Sequence, residues 1–227
     1  MVRRRSFFRV LARGVLVAGV ALALAFIGLV ALYAIAPPVS TLMLARTILG
    51  KSYERVYVPL SGVAPVAAAS VIASEDATFC RNHGVDWSAL HEVLSGAEGP
   101  RRGASTITMQ TAKNLFLWPG RSVLRKSVEI PMALVLGQVW SKARTLEIYL
   151  NIAEWGDGIF GVEAAAQHYF HKKASRLDAR EAALLATALP NPVRRDAAHP
   201  AALQRRLAVA VMARAEDRSE LLNCLPK

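Results

Sequence analysis

Two glutamates in separate segments are the residues best suited to acid–base chemistry in this sequence. Glu75 follows the apolar run "APVAAASVIAS", and Glu129 lies in "GRSVLRKSVEI". Glycosyl transfer commonly uses such a pair: one carboxylate takes the proton of the incoming oxygen, and the other assists at the leaving group. We therefore predict Glu75 and Glu129 as catalytic residues, with Asp76 supporting the first, provided that the fold brings the two acids together.

Basic side chains accumulate around the second acid. Arg125 and Lys126 precede Glu129 by four and three residues, so all three can meet on one face of a helix. An ordinary surface ion pair, which contributes little to stability, is the alternative explanation for this spacing. Together with Lys113 and Arg121, however, these cations suit a phosphate leaving group, because guanidinium groups bind phosphate oxygens in pairs.

A polar helix face is predicted in "GASTITMQTAKNLF", residues 103–116. With Ser105 as the N-cap, the side chains of Thr106, Gln110 and Lys113 fall on one side of the helix. Such a face is either simply solvated or binds a polyhydroxylated or phosphorylated ligand. The glycine-rich segment before it favours neither alternative on its own.

The elements that must position these residues are mostly helical. Asp86 and Ser122 are predicted N-caps, and Asp178 with Glu181 has the spacing of a capping box. Pro131 is predicted to kink or break the helix that starts at Ser122. The segment "ERVYVPL" is the one short strand that we expect after the N-terminal region.

The N-terminal region has the composition of a membrane anchor. Val15 to Ala36 contains 22 residues without a charge, and five arginines precede it. A cleaved signal peptide is the competing explanation, since Ala34 and Ala36 form an A-x-A pattern, but the apolar stretch exceeds the usual roughly 7–15 residues. We predict a basic cytoplasmic arm (1–14), a transmembrane helix (15–36), a membrane-proximal linker (37–54) and an outer domain (55–227).

The outer domain remains basic without the arm. Removing the five arginines leaves 23 basic and 17 acidic residues, a balance that suits anionic lipid, phosphate-bearing substrates or nucleic acid. The anchor argues against nucleic acid. Cys80 and Cys224 are 144 residues apart, and we predict both to be unpaired; the scattered histidines lack the spacing of zinc ligands.

Four stretches in order resemble the signature blocks of the peptidoglycan glycosyltransferases, glycosyltransferase family 51. They are "ASEDATFCRNHGVDW", "GASTITMQTAKNLFLWPGRSVLRKSVE", "WSKARTLEIYLNIAEWGDGIFGVEAAAQHYF" and "EAALLATALPNPVR". The single anchor and the absence of a transpeptidase-sized C-terminal domain resemble the monofunctional form. The resemblance implies a mainly α, lysozyme-like domain with a small membrane-proximal lobe, held at the bacterial inner membrane with its catalytic domain in the periplasm.

The same resemblance implies a reaction and its residues. Glu75 matches the base that activates the 4-hydroxyl of N-acetylglucosamine in lipid II, and the growing glycan chain is transferred with release of undecaprenyl diphosphate. Glu129 matches the second acid. The matching substrate-binding positions are Asp76, Ser105, Thr106, Gln110, Lys113, Asn114, Arg121, Arg125 and Lys126. No cofactor is required, and the resemblance admits a divalent cation, Mg²⁺ or Mn²⁺, at the diphosphate.

Two departures from the family pattern affect the site. Asn82 stands where the family usually has a histidine, and Met109 replaces one of two paired glutamines. A lysozyme-like lytic muramidase and an inactive membrane scaffold for cell-wall synthesis are the alternative functions. Membrane lipids and other cell-wall synthesis and division proteins are the expected partners besides the substrates.

Overall fold

The computed structural model describes residues 2–95, 104–120 and 122–226. It divides into two units, residues 1–37 and 38–227. The N-terminal unit contains helix α1 (Val2–Tyr33), whose apolar part, Val10–Tyr33, is 24 residues long and 6% buried. At 1.5 Å per residue, this length is sufficient to cross a bilayer. The helix ends three residues before the predicted boundary at Ala36.

The second unit is mainly helical, as predicted. Its elements are α2 (Thr41–Ile48), β1 (Glu54–Arg55), α3 (Pro65–Glu75), α4 (Trp87–Leu94), α5 (Ile107–Phe116), α6 (Val123–Val139), α7 (Lys142–Ile152), β2 (Glu154–Gly156), β3 (Ile159–Phe160), α8 (Val162–Phe170), α9 (Ala179–Ala188), α10 (Ala202–Arg214) and α11 (Arg218–Leu221). The central strand β3 pairs in parallel with β1 and antiparallel with β2. The strand predicted in "ERVYVPL" is thus confirmed, although it covers only two residues. The expectation of a single strand is wrong, because β2 and β3 pair beside it.

The core forms where alanine-rich helices approach one another closely. Helix α3 packs against α9 and α10, and α5 packs between α6 and α7. Small side chains on α3 and α9 allow this close approach, while Phe79, Tyr149 and Trp155 fill the larger spaces and are almost fully buried. The C-terminal end of α3 and the N-terminal turn of α5 are thereby held beside each other.

Most of the predicted helix boundaries are confirmed. The side chains of Asp86 and Ser122 cap α4 and α6, and Asp178 with Glu181 forms the predicted capping box of α9. The predicted N-cap Ser105 is wrong by one residue. Thr106 caps α5 instead, because its hydroxyl accepts from the Met109 N–H at 3.0 Å and also donates to the Gly84 carbonyl at 2.6 Å.

The predicted break at Pro131 is wrong, since α6 continues through it. A proline at this position removes the hydrogen bond to the carbonyl of Ser127. Both Pro131 and Ser127 are exposed, so water can satisfy that carbonyl and the helix is not forced to end.

The prediction of unpaired cysteines is also wrong. Cys80 and Cys224 form a disulfide, with their Cα atoms 5.3 Å apart. The link connects the segment that follows α3 with the C-terminal segment, and Leu221 and Leu222 pack on Ala69 and Ala73 of α3. Sequence separation gave no indication of this proximity, which arises only when the C-terminal helices fold back over α3.

Candidate active site

Glu75 lies at the C-terminal end of α3, where the helix meets α5. Its Oε2 accepts a hydrogen bond of 2.9 Å from Nε2 of Gln110, and Tyr149 donates its hydroxyl to Oε1 of the same glutamine at 3.1 Å. The two bonds agree on the orientation of the Gln110 amide: an ionised carboxylate only accepts and so faces the amide nitrogen, which leaves the amide oxygen to accept from the phenol. The amide N–H₂ is thereby directed at the Glu75 carboxylate.

Burial raises the pKa of Glu75 above its ordinary value. Hydrogen bonds from Gln110 and Ser74, and the charges of Lys113 and Arg195, offset part of that increase. A carboxylate with a raised pKa is a stronger base than an exposed glutamate, while it still ionises in a cleft that provides donors. These surroundings suit proton abstraction from a sugar hydroxyl.

Asp76 supports this arrangement rather than facing a ligand freely. It is 6% exposed. Its Oδ2 accepts from the backbone N–H of Ile107 at 3.0 Å, and both of its oxygens accept from the Asn82 amide. The carboxylate therefore joins the end of α3 to the start of α5.

Glu129 lies in a buried cluster of charges. Together with Ala133 and Leu136 it belongs to the buried stripe of α6, and its side chain is 1% exposed. One oxygen pairs with Arg125, and the other accepts from Lys126 Nζ at 2.7 Å. Glu129 thus holds two cations in fixed positions.

Around this cluster lie further polar side chains of the predicted set. The hydroxyl of Ser105 is 3.4 Å from Glu129 Oε1 and 3.2 Å from Lys126 Nζ. Burial lowers the pKa of Lys113, and the charge of Glu129 offsets part of that shift. The buried Nε of Arg125 is one of the described polar atoms that have no hydrogen-bond partner.

Two cavities lie on either side of the hydrogen bond between Glu75 and Gln110, one lined by Glu75 and the other by Gln110. The first, of about 650 Å³, is lined by Glu75, Asp76, Ser105 and Thr106, with Arg195 and Pro190 on its other side. We call it the carboxylate cavity.

The second cavity, of about 410 Å³, is lined by Gln110 and by the basic side chains Lys113 and Arg125, together with Asn114 and Trp118. We call it the cationic cavity. Pro190 lines both cavities, so they adjoin each other. A carboxylate thus lies on one side and basic side chains lie on the other, an arrangement that suits transfer from a phosphate-linked donor.

The structure brings the predicted site residues together around the two cavities and the Glu129 cluster, except that Thr106 and Arg121 need separate comment. Thr106 lies at the carboxylate cavity, but its hydroxyl is engaged by backbone groups of α5 and Gly84. Arg121 lies outside the described residues. Sequence reasoning missed the contributions of Tyr149 and Arg195, and it treated Asn82 only as a departure from the family pattern. A tyrosine in the otherwise apolar stretch "IYLNIA" was the available signal for Tyr149.

A resident divalent cation does not fit the donor groups at Glu129. Mg²⁺ and Mn²⁺ prefer several oxygen ligands, but both oxygens of Glu129 already face basic side chains. Within residues 2–95, 104–120 and 122–226, no cluster of three or more His, Cys, Asp or Glu side chains could hold a metal. We derive no chemical step through such an ion.

Comparison with known proteins identifies the family. The family model described as "Transglycosylase" matches residues 42–215. Three relatives carry the name biosynthetic peptidoglycan transglycosylase. That of Nitrobacter hamburgensis is 54% identical over 196 residues, covering 85% of this chain and 86% of the relative. That of Agrobacterium fabrum is 48% identical over 222 residues, covering 96% and 98%, and that of Brucella suis is 52% identical over 190 residues, covering 83% and 85%. The matched region contains both glutamates and the cavity residues named above, and the chain belongs to the transglycosylase family.

Proposed function

We propose that this transglycosylase polymerises lipid II into the glycan strands of peptidoglycan. The observation that carries the proposal is the hydrogen-bonded pair of Glu75 and Gln110, placed between a cavity for a sugar hydroxyl and a cavity lined by cations. The names of the relatives agree with this chemistry.

In the proposed reaction, lipid II binds as acceptor in the carboxylate cavity. Glu75 takes the proton from the 4-hydroxyl of its N-acetylglucosamine, and the oxygen attacks the anomeric carbon of the N-acetylmuramic acid that ends the growing chain. The bond from that carbon to the diphosphate oxygen breaks as the β-1,4 bond forms. Inversion follows from attack on the face opposite the leaving group.

The leaving undecaprenyl diphosphate carries the electron pair and the negative charge into the cationic cavity. Lys113 and Arg125 line that cavity, and Lys126 stands beside them on α6. Glu129 keeps Arg125 and Lys126 in place before the charge develops, which removes the cost of ordering them during the reaction. Arg121 is proposed to join them.

The proposed location is the outer face of the bacterial inner membrane, with α1 as a single-pass anchor and the N-terminus in the cytoplasm. The five arginines that precede the uncharged stretch Val15–Ala36 support this orientation by the positive-inside rule. The disulfide between Cys80 and Cys224 supports it independently, because disulfides persist in the periplasm and rarely in the cytosol.

A set of exposed apolar side chains supports membrane contact by the second unit. Six apolar side chains beside the cationic cavity are at least 51% exposed. They belong to α2, to the residues that follow α2 and α5, and to the first turn of α6: Leu44, Ile48, Leu49, Trp118, Val123 and Leu124. Exposed apolar side chains in such a group are typical of a surface that meets lipid or protein. A lipid-linked donor could enter the cationic cavity from this surface.

Purified full-length protein in detergent tests the proposal. We expect it to convert lipid II into long glycan chains, visible by gel electrophoresis, and we expect Glu75→Gln to reduce the rate by at least about 100-fold because the base is lost. Glu92→Gln, the same change at an exposed position of α4, is the control and should keep full activity. Polymerisation by Glu75→Gln at the wild-type rate would refute the role of Glu75.

The same purified proteins, assayed on lipid II and on ready-made cell-wall glycan, distinguish the proposed function from the two alternatives. A lytic muramidase would shorten ready-made cell-wall glycan, whereas the proposed polymerase leaves it intact. A scaffold without activity would neither extend lipid II nor shorten glycan.

A further inference from the structure

Asn82 occupies a buried position beside Asp76, the residue that follows Glu75. Its side chain is 8% exposed, and its Nδ2 donates to both oxygens of Asp76, at 3.0 and 3.1 Å. Its Oδ1 accepts from the Gly84 N–H at 3.1 Å. The amide therefore uses donor and acceptor at once, and Asp76 cannot rotate without breaking contacts with it.

Lys142, the first residue of α7, holds Asn82 from the other side of this hydrogen-bond network. Its ammonium donates to the backbone oxygen of Asn82 at 2.6 Å and to Oδ1 at 3.2 Å, and it lies 4.6 Å from the centre of the Phe79 ring. A hydrogen bond from a charged donor is stronger than one between neutral groups. Lys142 thus holds the amide oxygen while the amide nitrogen holds Asp76.

The connected groups determine how α3 meets α5. Asp76 is the residue after Glu75 and also accepts from the backbone of Ile107, the first residue of α5. One turn further along α5, Gln110 contacts Glu75. A shift of Asp76 would therefore change the distance between the base and the amide that orients it.

We infer that Asn82 and Lys142 are positioning residues for the transfer reaction, acting on Glu75 through Asp76. Neither side chain lines the carboxylate cavity or the cationic cavity, so neither contacts the substrate there. This inference rests on the proposed function and assigns to Asn82 a contribution to the rate of transfer rather than to lipid II binding.

The test compares kcat and KM for lipid II polymerisation in full-length variants. We expect Asn82→Leu, which keeps the size but removes all hydrogen bonds, to lower kcat by on the order of tenfold to 100-fold with little change in KM. Asn82→Asp should lose activity similarly, because it places a carboxylate against Asp76. Lys142→Met should lower kcat, and Lys142→Arg should restore part of it because a guanidinium can still donate to both oxygens.

A matched control distinguishes positioning from general destabilisation. Gln204→Leu removes another buried amide, which donates to the Leu184 carbonyl between α10 and α9, and it should lower Tm without lowering kcat of the folded fraction. Wild-type kcat in folded Asn82→Leu would overturn the inference, as would an equal loss of kcat in Gln204→Leu. Failure of the wild-type protein to polymerise lipid II would instead refute the proposed function.

Discussion

Glu75 must ionise in order to act as a base, yet it lies where burial opposes its charge. Its pKa is raised from 4.5, so the folded protein binds the proton more tightly than the unfolded chain does. The stability that this preference contributes is complete below the unfolded pKa and is lost as pH rises through the folded pKa. At neutral pH the ionised side chain therefore destabilises the fold.

We expect Glu75→Gln to be more stable than the wild type at neutral pH. The difference in Tm should vanish below about pH 4 and grow as pH rises through the folded pKa of Glu75. A gain of a few degrees is expected, since about 1 kcal/mol shifts Tm by roughly 2–4 °C in a protein of this size. Differential scanning calorimetry at several pH values measures this, and a pH-independent difference would contradict it.

Variants of Glu129 and Arg125 should distinguish the effect of this ion pair on stability from its effect on the rate of polymerisation. Glu129→Gln breaks a buried pair and should cost about 3–5 kcal/mol, because two cations lose their partner. The double change Arg125→Met and Glu129→Leu should recover much of that stability, since apolar side chains fill the same space. It should still polymerise lipid II poorly because the proposed diphosphate-binding cavity has lost a cation; recovered activity in the double variant would contradict the proposed role of Arg125.

At the scale of the elements, two glycines hold the loop after α3 against α6. A Cβ on Gly137 would lie 2.6 Å from the His83 carbonyl oxygen, and one on Gly84 would lie 2.3 Å from that of Ala133. Gly84 also has a φ of 101°, which disfavours other residues. The close contact connects the loop that contains Asn82 to the helix that contains Glu129.

We expect Gly137→Ala to destabilise the protein by about 1–3 kcal/mol, although alanine favours a helix, because backbone atoms must move apart. Gly62→Ala is the control, since its Cβ would meet neighbours at 3.4 Å or more. Thermal unfolding measures both variants. Equal stability of Gly137→Ala and the wild type would show that the loop and α6 can separate without cost.

The helices were predictable from local signals, but the contacts between them were not. Asp86, Ser122 and Asp178 act as caps through neighbours within three residues, which is information that the sequence contains. The choice of Thr106 over Ser105 depends on the carbonyl of Gly84, 22 residues away. The orientation of Gln110 likewise depends on Tyr149, 39 residues away, so that part of the site required the folded structure.

At the scale of the whole molecule, the disulfide closes most of the second unit into one covalent loop. The cysteines are 144 residues apart, and a cross-link of that span stabilises a protein by about 4–5 kcal/mol in the chain-entropy description. We expect the double variant Cys80→Ser and Cys224→Ser to unfold at a markedly lower temperature. Full reduction of the wild type by dithiothreitol should reproduce that change and should have no effect on the double variant.

The position of Cys224 also determines when this link can form. It follows Cys80 by 144 residues, so in the proposed orientation that whole stretch must cross the membrane before the second thiol reaches the oxidising side. A protein truncated during synthesis, or halted during export, cannot acquire the bond. The oxidised disulfide is therefore a chemical record that the chain has been translocated as far as Cys224.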